Sequence, residues 1–223
     1  MAMFMQKKDT PAGIPEHMLA AYQEDTMENR ALYSAAASAN IELVRTCIAN
    51  GGKPNWFNSE QNGATSLHAA ARAPGNDAPL VVRELIGLGG DFEVKTITTQ
   101  STPLHEAILN NNQASAEALI EAGASFTDNS FGNSPLLLSA QQGNVALLLS
   151  LLKHGHNIHT TNNQQRNALH ICSNLCEETP SLGMPPPARD PTSTLPTNKE
   201  IYIKITACLL MYGVNVNGKV STH

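Results

Sequence analysis

Residues 101–124 read STPLHEAILNNNQASAEALIEAGA. The stretch holds no metal cluster, nucleophile or phosphate loop. Thr102 can cap a helix by accepting a bond from a free backbone N–H, and Pro103 suits the first helical position, where its missing N–H costs nothing. Leu104, Ala107 and Ile108 then form a short apolar run, and Asn110–Asn112 make a polar turn. A second run carries Leu119 and Ile120 on an apolar face. Gly123 ends it, with a positive φ expected there.

The same order of parts recurs along the chain. With one Leu as anchor, the series is Leu32, Leu67, Leu104, Leu136 and Leu169, spaced by 35, 37, 32 and 33 residues. A Gly closes each repeat: Gly51, Gly89, Gly123, Gly155 and Gly213. The anchor-to-Gly distances are 19, 22, 19, 19 and 44, so the second and fifth repeats carry insertions. These are PGNDAP (74–79), made of turn formers, and EETPSLGMPPPARDPTSTLPTNK (177–199), which holds six of the thirteen prolines and cannot be helical.

TSLHAAARA, TPLHEAILN, SPLLLSAQQ and NALHICSNL open the repeats. This pattern resembles the ankyrin repeat, T-P-L-H-x-A-A with a closing Gly near every 33 residues. The resemblance covers about residues 29–218. It implies an all-α fold, an ankyrin-repeat solenoid of stacked antiparallel helix pairs with projecting β-hairpin-like loops. The expected domains are an N-terminal segment 1–28 with a short capping helix, repeats at about 29–58, 59–95, 96–127, 128–160 and 161–218, and an end at 219–223. By resemblance, His105 bonds locally across its loop. The departures are Ser66 for Pro, Leu137 for His, Asn167 as cap, and Arg30 two residues before Leu32, where no cap motif stands. No polar closing repeat follows the fifth Gly, so the chain is expected to be part of a longer protein.

Composition narrows the function. Charged residues are 15%, aromatics 4% and apolar residues 41%, with a net charge of −5. An acidic chain with scattered Lys and Arg has no electrostatic footprint for nucleic acid. No apolar run reaches the ~18–20 residues that span a bilayer, so no membrane insertion is expected. Cys47, Cys172, Cys176 and Cys208 read mostly as small buried thiols in the cytoplasm or nucleus. His154, His156 and His159 have the composition of a metal site. Yet His154 and Gly155 fall at helix-ending positions, and no carboxylate or thiol converges in sequence. Cys172 and Cys176 share a helix face, but it is the packing face. No catalytic residue, metal or cofactor is therefore predicted. A metal-dependent or thiol enzyme built on these clusters is the alternative of another class.

Positions the scaffold leaves free become candidates for a partner protein. In the family, partners bind the concave face made by loop tips and first helices. The slots two and five after each anchor include Arg72, Glu106, Leu109, Leu138, Gln141 and Ile171. The loop tips add Trp56, Phe57 and Phe131. Two readings stay open: some of these Leu and Ile side chains can tuck into the stack, and Trp56 can fold back over the first repeat. The Asn-rich turns, Asn110–Asn112 among them, offer hydrogen bonds without fixed charge, or reflect composition alone. The leading expectation is a non-enzymatic, monomeric protein-protein interaction scaffold. The alternative is the substrate-recruiting region of a larger protein, such as a pathogen effector or ubiquitin-ligase adaptor. The resemblance also makes Asn55 or Asn217 a candidate for modification.

Overall fold

Helix starts and stops are set by side chains that satisfy the backbone groups a helix end leaves bare. The computed structural model describes residues 25–176 and 198–212. The N-terminal stretch with Met18, Leu19 and Tyr22, most of the proline-rich insertion, Gly213 and Asn217 lie outside the described residues. The described residues form ten α-helices, grouped in pairs, and two compact units divided between Pro103 and Leu104.

The first unit holds α1 (Met27–Ala37), α2 (Ile41–Ala49), α3 (Ser66–Arg72) and α4 (Ala78–Gly87). The missing cap motif of the first repeat is found earlier in the chain. Thr26 Oγ1 accepts from the Asn29 N–H at 3.3 Å, so α1 starts at Met27, within the segment expected to cover the end of the stack. Asn40 caps α2 through the Leu43 N–H. Thr65 and His68 cap α3 reciprocally. First helix packs on first helix (α1 on α3) and second on second (α2 on α4). Ala36, Ala70 and Ala71 are fully buried, and these small side chains let backbones approach closely. Leu32, Val44, Leu67, Val81 and Leu85 fill the space between, each contributing about 1.5–3 kcal/mol by leaving water.

The second unit holds α5 (Pro103–Leu109, less its first residue), α6 (Gln113–Glu121), α7 (Pro135–Gln141), α8 (Val145–Lys153), α9 (Ala168–Cys176) and α10 (Asn198–Met211). Asn112 and Asn144 cap the second helices α6 and α8. The last two residues of the proline-rich stretch, Asn198 and Lys199, are the first of α10. Again α7 packs on α9, and α8 on both α6 and α10. Leu104, Leu119, Leu136, Leu147, Leu151 and Ile205 are fully buried.

Each second helix of the first four repeats leaves through a glycine at φ between +85 and +94, as expected for Gly123. There the Gly123 N–H bonds Ile120 O and the Ala124 N–H bonds Leu119 O, which satisfies the last carbonyls. The chain then makes a loop and returns. In the first unit the loop closes with one antiparallel bridge, Asn58 to Ala64. No strand forms among the described residues. Neighbouring loops are tied by amides. Asn62 takes the Ile97 N–H on its carbonyl, and the Thr98 N–H and hydroxyl on Oδ1. In the second unit Asn163 donates to Ser130 O, and Asn162 donates to Asn133 Oδ1.

Candidate functional site

The turns between paired helices settle the role of their asparagines. Asn112 is a cap. Asn111 sits at φ +53 and its Oδ1 accepts from Asn144 Nδ2 at 2.9 Å, while Asn110 Nδ2 bonds Glu106 O. These side chains build the scaffold, which corrects the reading of Asn110–Asn112 as free positions. Asn55 is also engaged: it donates to Gly89 O and accepts the Asp91 N–H.

Four of the candidate contact residues are core. Trp56, Phe57, Leu138 and Ile171 are all 7% exposed or less. Phe57 lies over Gly63, where a Cβ would collide with its ring. The loop folds its aromatic pair inward instead of presenting it. Leu138 and Ile171 stand on α7 and α9, which pack against each other, so the slot two after the anchor is covered in the fourth and fifth repeats.

The remaining candidates reach solvent. In the first unit, half-buried Arg72 donates from Nη2 to the Tyr33 hydroxyl at 2.7 Å. The two line a groove of about 350 Å³ with Ala37, Gln61, Ala69 and Pro74. Tyr33, one residue past the anchor Leu32, falls outside the two-and-five rule, so the slot pattern misses it. A second groove of about 500 Å³ runs between α2 and α4, where exposed Leu80 and Leu88 flank the Arg45–Glu84 ion pair at 2.9 Å. That pair raises the Arg45 pKa and lowers that of Glu84 through the hydrogen bond between them.

In the second unit Glu106 is half-buried and Gln141 exposed. Leu109 is 40% and Phe131 60% exposed. Asn129 Oδ1 accepts from the N–H groups of Phe131 and Asn133, both at 3.0 Å. The Phe131 carbonyl accepts from the Asn163 N–H. An aromatic ring thus stands in water on a fixed turn.

The histidines of HGHNIH separate. His154 is exposed, with Nδ1 2.8 Å from Ser150 O, and His159 is exposed in the next loop. His156 is buried and stacks on Phe126, ring centroids 4.9 Å apart. Burial holds its pKa below the ordinary imidazole value, against weaker opposition from its bond to Asn157 O and the charge of Asp128. Among the described residues no three His, Cys, Asp or Glu side chains converge as metal ligands. Cys172 is buried against Ala140 O. Among the described residues no helix is long and apolar enough to cross a membrane.

A sequence model of ankyrin repeats in three copies matches residues 32–130, and one of the single ankyrin repeat matches 131–163. NF-kappa-B inhibitor alpha of Mus musculus is 31% identical over 122 residues, 51% of this chain and 38% of that protein. Alpha-latrocrustotoxin-Lt1a of Latrodectus tredecimguttatus is 29% identical over 152 residues, 64% of this chain. Ankyrin repeat and KH domain-containing protein mask-1 of Caenorhabditis elegans is 29% identical over 131 residues, 59% of this chain. The chain spans 11% of the length of the second and 5% of the third.

Proposed function

Since the chain belongs to the ankyrin-repeat family, we propose that it is a protein-interaction module, with no catalytic step or cofactor of its own, that binds a partner protein through outward positions of its first helices and its loop tips. In the second unit the binding residues are Glu106, Leu109, Phe131 and Gln141. In the first they are Arg72 and Tyr33. The protein acts as a monomer. Cys47, Cys172 and Cys208 are free thiols, which supports the cytoplasm or nucleus as its compartment.

Phe131 carries this reading. Its ring is outside the core, and its backbone is held on both sides by Asn129 and Asn163. An aromatic side chain on a preordered turn loses little freedom on binding and suits an apolar pocket on a partner. Leu109 adds a second exposed apolar group on α5.

The test is capture of a partner from native cytosol, its identification by mass spectrometry, and titration with purified variants. Phe131→Ala and Leu109→Ser are each expected to weaken binding about tenfold or more, a hot-spot loss of over about 1.4 kcal/mol, with the melting temperature unchanged. Unchanged affinity in both variants would remove this face from the mechanism. In each relative the matched stretch is the smaller part of a longer chain, which favours recruitment for an activity carried elsewhere as the second reading.

A further inference from the structure

The fourth repeat lacks the histidine of its opening motif, with Leu137 in its place and fully buried. The N–H groups from Pro135 to Leu138, the first turn of α7, can nevertheless be accounted for one by one. Pro135 has none. The Leu137 N–H bonds Ser134 Oγ, and the Leu138 N–H bonds Ser134 O. The Leu136 N–H donates to Nε2 of His156 at 3.4 Å. His156 follows the closing glycine, twenty residues further on.

We propose that His156 is an acid-sensitive clasp: from the far end of the fourth repeat it takes the Leu136 N–H, and it holds the start of α7 only while its ring is neutral. Both nitrogens are committed. Nε2 accepts from Leu136, so the proton sits on Nδ1, which donates to Asn157 O at 3.0 Å. Phe126 covers one face of the ring, and the side chain is 6% exposed. Protonating Nε2 sets a donor against a donor and leaves a buried Leu136 N–H without its acceptor. It also places a charge in an apolar site.

Little in the surroundings offsets that charge. The α7 sequence PLLLSAQ contains no titratable side chain. The α8 sequence VALLLSLLK contains one, Lys153, which is exposed. The loop with Phe126 brings Asp128, whose charge favours the protonated ring but is outweighed by burial. The clasp's own segment adds exposed His154 and His159 and half-buried Arg166. The folded state therefore prefers the neutral ring more than the unfolded chain does. The stabilisation is complete above the ordinary imidazole pKa of about 6.5 and is lost as pH falls below it.

The experiment is NMR on the full chain. At pH 7.5 His156 is expected as the Nδ1–H tautomer. Leu136 amide exchange, corrected for its intrinsic pH dependence, should accelerate as His156 titrates, by about tenfold for each unit the ring is held below its unfolded value. His156→Gln keeps a neutral acceptor and should flatten that response, while His154→Gln should leave it intact. An Nε2–H tautomer at pH 7.5, or an acid response that survives in His156→Gln, overturns the proposal. If His156→Gln does not fold, the wild-type tautomer and Leu136 exchange decide it.

Discussion

At the start of α3, His68 closes a local circuit. Its Nδ1 accepts the Thr65 N–H at 3.1 Å, and its Nε2 lies 3.0 Å from Ser101 O in the next loop. At the start of α7 the same place in the repeat holds Leu137, and the imidazole arrives from His156. The two rings use opposite nitrogens and take different N–H groups, that of the cap residue Thr65 in one and that of the second helical residue Leu136 in the other, and they differ in sequence reach. In the second repeat the ring sits on the helix it caps, three residues from its partner. In the fourth it sits at the exit of the following helix, so the start of α7 and the end of α8 are joined by one hydrogen bond. Two repeats of one chain therefore fasten the start of the first helix in different ways.

The comparison can be broken at its anchors. Leu67→Ala and Leu136→Ala should each cost about 2–5 kcal/mol in urea denaturation, since both side chains are fully enclosed. A much smaller loss at Leu136 would mean that the fourth repeat collapses around the cavity and that its packing differs from that of the second. The loop tips give a sharper contrast. Gly63→Ala and Gly132→Ala both place a Cβ at a positive φ, and should each lose about 1–3 kcal/mol. Gly63→Ala tests whether the enclosed Phe57 ring can give way to the new Cβ, whereas at Gly132 the Cβ meets both the side chain and the backbone N of Asn163, so Gly132→Ala should be at least as costly. A lower melting temperature for Gly63→Ala than for Gly132→Ala would show that the Phe57 ring does not move aside. The smallest effect separates the caps. Asn144→Ala should cost about 1 kcal/mol, while Asp77→Ala, whose carboxylate makes no cap bond to α4, should be close to neutral.

Much of this fold is legible in the sequence because repetition exposes the residues that stacking demands. Leu32, Leu67, Leu104 and Leu136 line up with the closing glycines, and each is buried. The candidate site is legible only in part. Leu109 and Leu138 occupy the last and middle parts of their short helices, and identical chemistry gives 40% exposure in one case and burial in the other. The two stand at different slots, five and two after their anchors, and the neighbour that covers slot two on α7 lies a repeat away in sequence. Trp56 and Phe57 read as loop-tip candidates because polar residues surround them, with the inward fold of Trp56 left open. The clue to the contrary is Asn62-Gly63, a pair in the left-handed region that turns the loop back and leaves room for the Phe57 ring. Thr26 escapes notice for a simpler reason: α1 is longer than the other first helices of the first four repeats, so its cap lies outside the expected window.

The ties between neighbouring loops, Asn62 to Thr98 and Asn163 to Ser130, are made by neutral amides. Ionic strength screens the Arg45–Glu84 pair between α2 and α4 but has little hold on an amide bridge. Salt therefore loosens the ionic tie between the second helices α2 and α4, while the spacing of adjacent loop tips stays as it is.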